Sequence, residues 1–275
     1  MANSYLRIIV SNLSEIPFVK MSILEADGII DRILIVEHNF THTGIRKPYY
    51  FAEVIQSLKS LSKKTLIEYI QVDLEESIME LAEGSIALHH NEYLMRKSFA
   101  EFIDIHPKDT VFCPDADEVI FRSTIWILTR VLKIFTWCPM SIRLPMNQFF
   151  YKPNYLWIDA KFSSTLVGHY SKISSNEIRF RDHGLRLPFK CGCHFSWHLT
   201  IPQMMEKLDQ YAHRDDYRSV RNKELLTKAV QDKTYPFDTR RKFTIRELSA
   251  RQTKKAHPKS FSLISGELSH LWKEN

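Results

Sequence analysis

Glycine is scarce in this sequence: the chain has seven glycines in 275 residues, and they are scattered along its length. P-loops and Gly-rich dinucleotide-binding turns both need several glycines close together, because the backbone must come very near a phosphate. Neither motif is present. The sequence therefore excludes the nucleotide-binding classes that depend on a glycine-rich loop.

Cysteine and long apolar runs are scarce as well. Four cysteines cannot form a disulfide framework for a chain of this length, so we expect reduced thiols. No apolar run approaches the ~20 residues that a membrane-spanning helix needs. The first residues, MANSYLRIIVSN, lack the pattern of a secretory signal. We therefore expect a cytoplasmic protein, in a bacterium or in the host cell of a virus.

Basic residues are concentrated at one end of the chain. The net charge is +6, and the segment from Arg240 onward has nine Lys/Arg against three Asp/Glu, so residues 1–239 are neutral overall. A groove for nucleic acid needs cations on the folded body, and we expect no such partner. A basic tail is compatible with plain solvation or with contact to an acidic membrane surface.

Apolar patterning indicates an α/β fold. Buried-strand patterns occur at 5–10, 32–37, 66–72 and 110–113, and helical spacing occurs at 48–61 and 92–103. Alternation of strand and helix predicts an α/β sandwich around a mostly parallel mixed sheet. A further helix is predicted to begin at an N-cap, Ser123, and to bury Ile127, Leu128, Val131, Leu132 and Phe135.

Three acids follow the fourth predicted strand in the stretch VFCPDADEVI at 111–120. Asp115, Asp117 and Glu118 thus lie at the carboxyl end of that strand, where ligands bind in open α/β sheets. Carboxylate oxygens suit Mg²⁺ or Mn²⁺, and an Asp-x-Asp spacing turns both side chains to the same side. The alternative is a solvated acidic turn without a ligand.

Two enzyme classes use such an arrangement. In a nucleotide-sugar transferase the metal holds the donor's diphosphate. In a phosphatase of the haloacid dehalogenase type the first acid, here Asp115, is the nucleophile. That motif normally lies on the first strand of its fold, whereas at least three predicted strands precede Asp115.

Four segments in a fixed order carry a family resemblance. They are IIDRILIVEHNFTHTGIRKPYYF at 29–51, NEYLMR at 91–96, DTVFCPDADEV at 109–119 and CGCHFSWHL at 191–199. Together they resemble glycosyltransferase family 17, which includes the enzyme that adds bisecting N-acetylglucosamine to N-glycans. The resemblance extends over residues 5–235, and its matching positions include Asp31, Glu37, Asn39, Phe40, Thr41, Gly44, Pro48, Phe51, Gly192, His194, Ser196 and Trp197.

The resemblance implies a GT-A-type domain that transfers a sugar with inversion and depends on Mn²⁺ or Mg²⁺. It implies Asp117 as the principal metal ligand, with Asp115 beside it and His194 as a further ligand or diphosphate contact. The implied donor is a UDP-sugar, N-acetylglucosamine by resemblance with xylose or another sugar as alternatives, and the implied acceptor is a glycan. A non-catalytic sugar-nucleotide-binding protein is the alternative from another class.

Further residues are candidates for donor binding. Glu37, at the end of the second predicted strand, is expected to meet the nucleoside, and Trp197 is expected to stack on a sugar. Arginine forks match phosphate oxygens, which makes Arg46 and Arg96, together with Lys47, candidates for diphosphate contact. Asn39 and Thr41 lie in the first family segment and are expected near the donor.

Inversion needs a general base for the acceptor hydroxyl. Asp159, an isolated acid among apolar residues in NYLWIDAKF, is the first candidate, because such surroundings would raise its proton affinity. Asp182 and Asp209 are the reserves.

We divide the chain into a catalytic domain at 1–235 and a basic extension at 236–275. The extension ends in a segment whose apolar positions share one helical face: Phe261, Ile264, Leu268, Leu271 and Trp272. A helix docked on the domain is expected, and peripheral membrane contact is the alternative.

Overall fold

The structure is a computed structural model, and it describes residues 2–75, 85–98, 102–138, 140–173, 183–210, 221–237 and 241–273. Twelve strands occur in these ranges. In chain order they are β1 Ser4–Val10, β2 Arg32–His38, β3 Leu66–Val72, β4 Thr110–Cys113, β5 Glu118–Ile120, β6 Ile142–Leu144, β7 Met146–Phe150, β8 Tyr155–Trp157, β9 Thr165–His169, β10 Leu185–Arg186, β11 Gly192–Ser196 and β12 Ile245–Glu247.

Besides a helical stretch at 170–173, nine α-helices occur in the same described ranges. They are α1 Ile16–Ala26, α2 Ile55–Lys59, α3 Ser85–Ser98, α4 Arg122–Ile134, α5 Ile201–Gln210, α6 Lys223–Gln231, α7 Ala250–Ala256, α8 Phe261–Ile264 and α9 His270–Lys273. Short 3₁₀ turns at Leu13–Glu15 and Tyr50–Glu53 precede α1 and α2.

The strands form two sheets. The larger sheet has the order β10-β6-β9-β4-β1-β2-β3, and β9 runs antiparallel to both of its neighbours while the other pairs are parallel. The smaller sheet has the order β12-β8-β7-β11-β5 and is antiparallel except for the β7–β11 pair. The protein is thus an α/β protein with mixed sheets, and the predicted α/β fold class is confirmed.

Helix α1 joins the cores of the two sheets. Its Val19 and Ile23 pack with the apolar side chains of β1 and β2, while its Phe18 and Met21 pack with the smaller sheet around Phe195. All four α1 side chains are buried. Because α1 is apolar on two sides, it fixes one sheet relative to the other.

The long strands of the larger sheet lie where the sequence predicts them. β3 and β4 have the predicted bounds, and β1 and β2 each differ by one residue. Continuous apolar runs mark them because parallel strands are covered on both faces. The predicted helix at 48–61 is instead a 3₁₀ turn followed by α2. The helix predicted at 92–103 corresponds to α3, which is described over Ser85–Ser98; residues 99–101 lie outside the described ranges.

Two predictions for α4 are wrong. The helix follows Phe121 as its N-cap rather than Ser123. Its buried residues are Thr124, Ile125, Leu128, Thr129 and Leu132, so of the predicted core residues Ile127, Val131 and Phe135 are exposed. The helix carries apolar residues around most of its circumference, and the pattern alone does not say which side meets the sheet.

The C-terminal segment packs against the smaller sheet and α1. β12 pairs with the edge strand β8, and Phe261, Ile264, Leu268 and Leu271 are buried with Phe18 and Phe195. These four apolar side chains are therefore not available to a membrane; the side chain of Trp272 is outside the described set. In the described ranges, no helix has the length and apolar character needed to cross a bilayer.

His257, at the end of α7, generates a prediction about acid stability. Its ring lies among Phe149 and Phe261, with centroid distances of 4.2 and 4.1 Å, and its Nδ1–H donates to the Thr253 carbonyl oxygen at 2.9 Å. Burial lowers the pKa of His257 from 6.5 to about 4. Between these values the unfolded chain takes up a proton that the folded protein does not, so stability falls as the pH falls.

We expect His257→Phe to weaken this pH dependence. Below pH 6.5 the free energy of unfolding of the variant should fall less steeply with decreasing pH than that of the wild type. The difference between the two slopes should be up to about 1.4 kcal/mol per pH unit. Urea unfolding at pH 7, 6 and 5 measures the slope. Parallel curves for the two proteins would contradict the prediction.

Candidate functional site

A cleft of about 800 Å³ opens at the carboxyl edge of the larger sheet. Its walls come from the residues that follow β1, β2 and β4, from α3 and α5, and from β11 and the turn after it. The volume lies within the range of small-molecule and cofactor sites. Among the cleft residues are Glu15, Thr41, Lys47, Glu92, Arg96, Asp115, Asp117, Phe162, His194, Trp197 and Lys207.

The acidic segment connects the two sheets, and its successive side chains point alternately into the cleft and into the protein. Asp115 follows β4 in the larger sheet, and Glu118 begins β5 in the smaller one. The carboxyl groups of Asp115 and Asp117 are partly exposed in the cleft, whereas Ala116 and Glu118 are buried. The period of two that the sequence predicts for the Asp-x-Asp spacing is therefore present.

Glu118 holds this segment in place. Its carboxylate accepts the Asp115 backbone N–H at 3.0 Å and the Thr165 hydroxyl at 2.6 Å, and its own N–H donates to the Asp115 carbonyl oxygen at 3.0 Å. Buried carboxylates need such partners to offset the loss of water. The third acid of the cluster thus fixes the turn from which the first two project.

Asp115 forms an ion pair across the cleft wall. Arg96 donates from Nη1 and Nη2 to the two carboxylate oxygens at 3.1 and 3.2 Å, which is the two-point geometry that a guanidinium favours. Glu92, one helical turn earlier on α3, accepts from the same guanidinium at 2.9 and 3.2 Å. These contacts orient Arg96 toward the acidic segment.

Asp117 faces two cations. His194 Nε2 lies 3.6 Å from its carboxylate and Lys207 Nζ lies 3.8 Å from it. Burial raises the pKa of Asp117, but the charges of His194 and Lys207 outweigh this effect and hold the pKa below its ordinary value. Burial lowers the pKa of His194, and the charge of Asp117 outweighs it and raises that pKa. The pair therefore favours an ionised carboxylate beside a protonated imidazole.

The pairing of β5 with β11 brings these residues together. His194 lies opposite Glu118 in the antiparallel register, and the Phe195 N–H donates to the Asp117 carbonyl oxygen at 2.9 Å. The His194 ring packs against the Phe162 ring, with centroids 4.0 Å apart and the ring planes tilted by 30°. Gly192 allows β11 to lie this close to β5, because a Cβ at this position would collide with the carbonyl oxygen of Val119.

The donor set fits a hard divalent cation that draws most of its ligands from elsewhere. Across the part of the chain that the structure describes, no three His, Cys, Asp or Glu side chains come together as a metal site. Mg²⁺ in phosphate-binding sites, however, is held by one or two carboxylates, with water and substrate phosphates completing the shell. Asp115 and Asp117, with side chains 35% and 20% exposed, meet that requirement.

Glu37 lies outside the cleft lining and is completely buried. Its carboxylate accepts from Lys47 Nζ at 2.8 Å, from the N–H groups of Tyr50 and Phe51 at 2.8 and 2.9 Å, and from the Tyr69 hydroxyl at 2.7 Å. Four donors occupy its two oxygens, so we no longer propose a nucleoside contact for it. Lys47 lines the cleft, but its ammonium is directed to Glu37.

Asn39 and Arg46 also lie outside the lining. The Asn39 amide joins the ends of β2 and β3 through hydrogen bonds to Asp73 and to both backbone groups of Leu74. Arg46 is exposed, with its guanidinium 5.1 Å from the Phe40 ring centroid. We therefore do not propose donor contacts for either residue.

Thr41 and Trp197 do line the cleft. The Thr41 hydroxyl is 2.8 Å from that of Thr43 and accepts the Ile45 N–H. Trp197 has a left-handed backbone with φ of 59°, and the Lys207 ammonium lies 5.4 Å from its ring centroid. A left-handed bulky residue is strained, and such strain clusters at ligand sites.

The first candidate base does not lie in the cleft lining. Asp159 follows β8, and Lys242 Nζ lies 3.2 Å from its carboxylate. A hydrogen bond with the Thr244 side chain, aided by Lys242, lowers the pKa of Asp159. The expectation that the proton affinity of Asp159 is raised is wrong. Its partners Lys242 and Thr244 come from another segment of the chain, which the residues around Asp159 do not reveal.

The two reserve acids do not join the cleft residues either. Asp209 is on α5, and its carboxylate pairs at 2.7 Å with Arg221 outside the lining. Asp182 is outside the described residues.

Sequence reasoning missed Lys207 and Glu15. Lys207 is one of many lysines, and only the packing of α5 places it at Asp117. Glu15 accepts from the N–H groups of Ser11 and Asn12 at 2.7 and 3.2 Å, and burial raises the pKa of its carboxyl group. The Asn-x-x-Glu spacing of a capping box could have located a turn at Glu15, although not its position in the cleft.

Comparison with known families adds one match. The family model described as glycosyltransferase family 17 matches residues 4–260. That range includes both sheets and every cleft residue named above. No curated protein matches the chain.

The Glu37–Lys47 pair generates a stability prediction. Glu37→Gln should lower the free energy of unfolding by about 3–5 kcal/mol, because it leaves the buried Lys47 ammonium without a counter-charge. Urea unfolding measures the loss. The matched control is Glu68→Gln on β3. Glu68 forms an ion pair of 3.2 Å with Arg32, and both side chains are partly exposed. We expect this variant to lose less than about 1 kcal/mol of unfolding free energy. Equal losses in the two variants would refute the structural role of Glu37.

Proposed function

Since the chain belongs to glycosyltransferase family 17, we propose that it transfers a sugar from a nucleotide diphosphate donor to a hydroxyl group, with a divalent metal ion and with inversion. The protein is a glycosyltransferase, and membership of the family decides against both a phosphatase and a non-catalytic binding protein. The GT-A type, the donor and the metal are parts of the proposal.

One observation carries it: two partly exposed carboxylates and three cationic side chains meet in a single cleft at the carboxyl edge of the sheet. Asp115 and Asp117 supply the carboxylates, and Arg96, His194 and Lys207 supply the cations. A solvated acidic turn would not gather cations from α3, β11 and α5 around it. A diphosphate with a metal ion needs both charge types at one place.

The residues have distinct roles in this proposal. Asp117, supported by Asp115, holds Mn²⁺ or Mg²⁺, which when bound supplies positive charge to the departing diphosphate. His194 and Lys207 contact the same diphosphate from β11 and α5, and Arg96 contacts it from α3. Cations fixed in advance by the fold stabilise developing negative charge without having to reorganise.

The donor and acceptor follow from the family resemblance. We propose uridine diphosphate N-acetylglucosamine as the first donor to test, with the xylose analogue next, and a glycan hydroxyl as the acceptor. Trp197 lines the cleft beside Lys207 but is only 6% exposed, so only a small part of its ring can meet a sugar.

For the base we propose Glu15 in place of Asp159. Glu15 lines the cleft, and the hydrogen bonds from Ser11 and Asn12 fix its carboxylate beyond the end of β1. Among the cleft acids it is neither in the Asp-x-Asp pair nor bound to Arg96 like Glu92, and it does not hold the turn of the acidic segment as Glu118 does. A carboxylate there can accept the proton of the acceptor hydroxyl.

The first test of the proposal is nucleotide binding. Asp117→Asn should lower the affinity for uridine diphosphate in the presence of Mn²⁺ by about 10- to 100-fold, because it removes one charge from the metal site. Isothermal titration calorimetry measures the affinity. Asp209→Asn, the same change on an exposed acid outside the cleft lining, should bind like the wild type. Wild-type affinity in Asp117→Asn would sink the proposed metal role.

The second test concerns the base. Glu15→Gln should reduce the rate of sugar transfer by about 10²- to 10⁴-fold while the affinity for uridine diphosphate stays the same. The control Asp159→Asn should transfer sugar at close to the wild-type rate. Release of the nucleotide, followed with a coupled assay, gives both rates. The opposite pattern would return the role to Asp159.

A further inference from the structure

The outward side of α4 exposes apolar side chains. Ile134 and Trp137 are 72% and 74% exposed. We define the α4 patch as the exposed apolar residues on this helix and the turn after it: Trp126, Ile127, Val131, Ile134, Phe135, Trp137 and Met140.

This exposure is concentrated in one place. Seven of the seventeen large apolar side chains that are exposed in the described ranges lie between residues 126 and 140. Single exposed apolar residues are ordinary on soluble proteins, whereas contiguous ones mark interaction sites. The buried side of α4 already packs on the core of the larger sheet through Ile125, Leu128 and Leu132. The α4 patch is thus a second apolar surface, on the side of the helix opposite the one that packs on the sheet.

The charges around the patch indicate what covers it. Residues 121–140 contain Arg122, Arg130 and Lys133 and no Asp or Glu. The Arg130 guanidinium lies 3.7 Å from the Trp126 ring centroid, and Lys133 reaches one acid outside the segment, Asp31, at 3.3 Å. Aromatic side chains interleaved with cations are typical of helices that lie in the headgroup region of an anionic bilayer.

A second copy of the chain is a poorer occupant. A two-fold interface would place the same surface on both sides, so the cations of one patch would face those of the other. Like charges across an interface oppose association. Anionic lipid headgroups, in contrast, complement Arg130 and Lys133 while the apolar side chains enter the acyl boundary. The Arg122 guanidinium donates to the carbonyl oxygens of Leu24 and Glu25 and is not counted among them.

We propose that the α4 patch is a docking surface for an anionic lipid bilayer. The proposal rests on this surface alone and is independent of the proposed donor and metal. The C-terminal end of α4 lies near Asp31, which directly precedes β2, and hence at the amino edge of the larger sheet. The cleft opens at the carboxyl edge, so docking through this end leaves the cleft accessible.

Vesicle flotation of the full chain tests the proposal. We expect the wild type to float with vesicles that contain phosphatidylserine, and to float less with phosphatidylcholine alone or in high salt. Ile134→Asp combined with Trp137→Asp should abolish flotation. Arg130→Gln combined with Lys133→Gln should lower the partition coefficient about tenfold or more.

The matched control is Leu263→Asp on α8, an apolar residue as exposed as Ile134, which should float like the wild type. An unchanged melting temperature and an unchanged circular dichroism spectrum show that each variant is folded. Flotation of the Asp double variant at the wild-type level would overturn the proposal. So would absence of wild-type flotation, including the case in which light scattering shows a dimer that the same double variant dissociates.

Discussion

The burial of Glu118 at the point where the chain passes from one sheet to the other is the constraint on which the site depends. Its carboxylate binds the hydroxyl of Thr165 in the larger sheet, while its backbone belongs to β5 in the smaller one. An acid placed there without partners would be costly, so the two sheets and the turn between them have to fit together. Asp115 and Asp117 project into the cleft as a result, and β11, paired with β5, brings His194 to meet them. The candidate site is therefore built at the junction of the sheets rather than on either one alone.

The polar residues at the end of β2 illustrate a different use of the same chemistry. Glu37 and Asn39 stand where a ligand-binding edge is expected, yet both close the loops that surround the cleft. A carboxylate that accepts four hydrogen bonds from the protein has no free lone pair directed at a ligand, so its role is structural. These hydrogen bonds hold the cleft wall in place before a sugar donor binds. The entropic cost of ordering the wall on binding is thereby reduced.

The sequence predicted the four long strands because parallel strands covered on both faces are marked by unbroken apolar runs. It also placed Asp115 and Asp117 correctly at a strand end, since strand periodicity is local information. It did not reveal most of the smaller sheet, in which several strands have only three residues. Nor could it rank the acids: the surroundings of Asp159 and Asp209 depend on Lys242 and Arg221, which belong to other segments. These two predictions failed because the deciding partner is not among the residues next to the acid.

The packing of residues 261–271 under the smaller sheet has a consequence for biosynthesis. Phe195, next to His194, is covered in part by Phe261, whose ring stacks in parallel with it. During translation β11 leaves the ribosome well before these residues do, and domains fold as the chain emerges. Until residues 261–271 have emerged, the newly made chain therefore lacks this cover on Phe195.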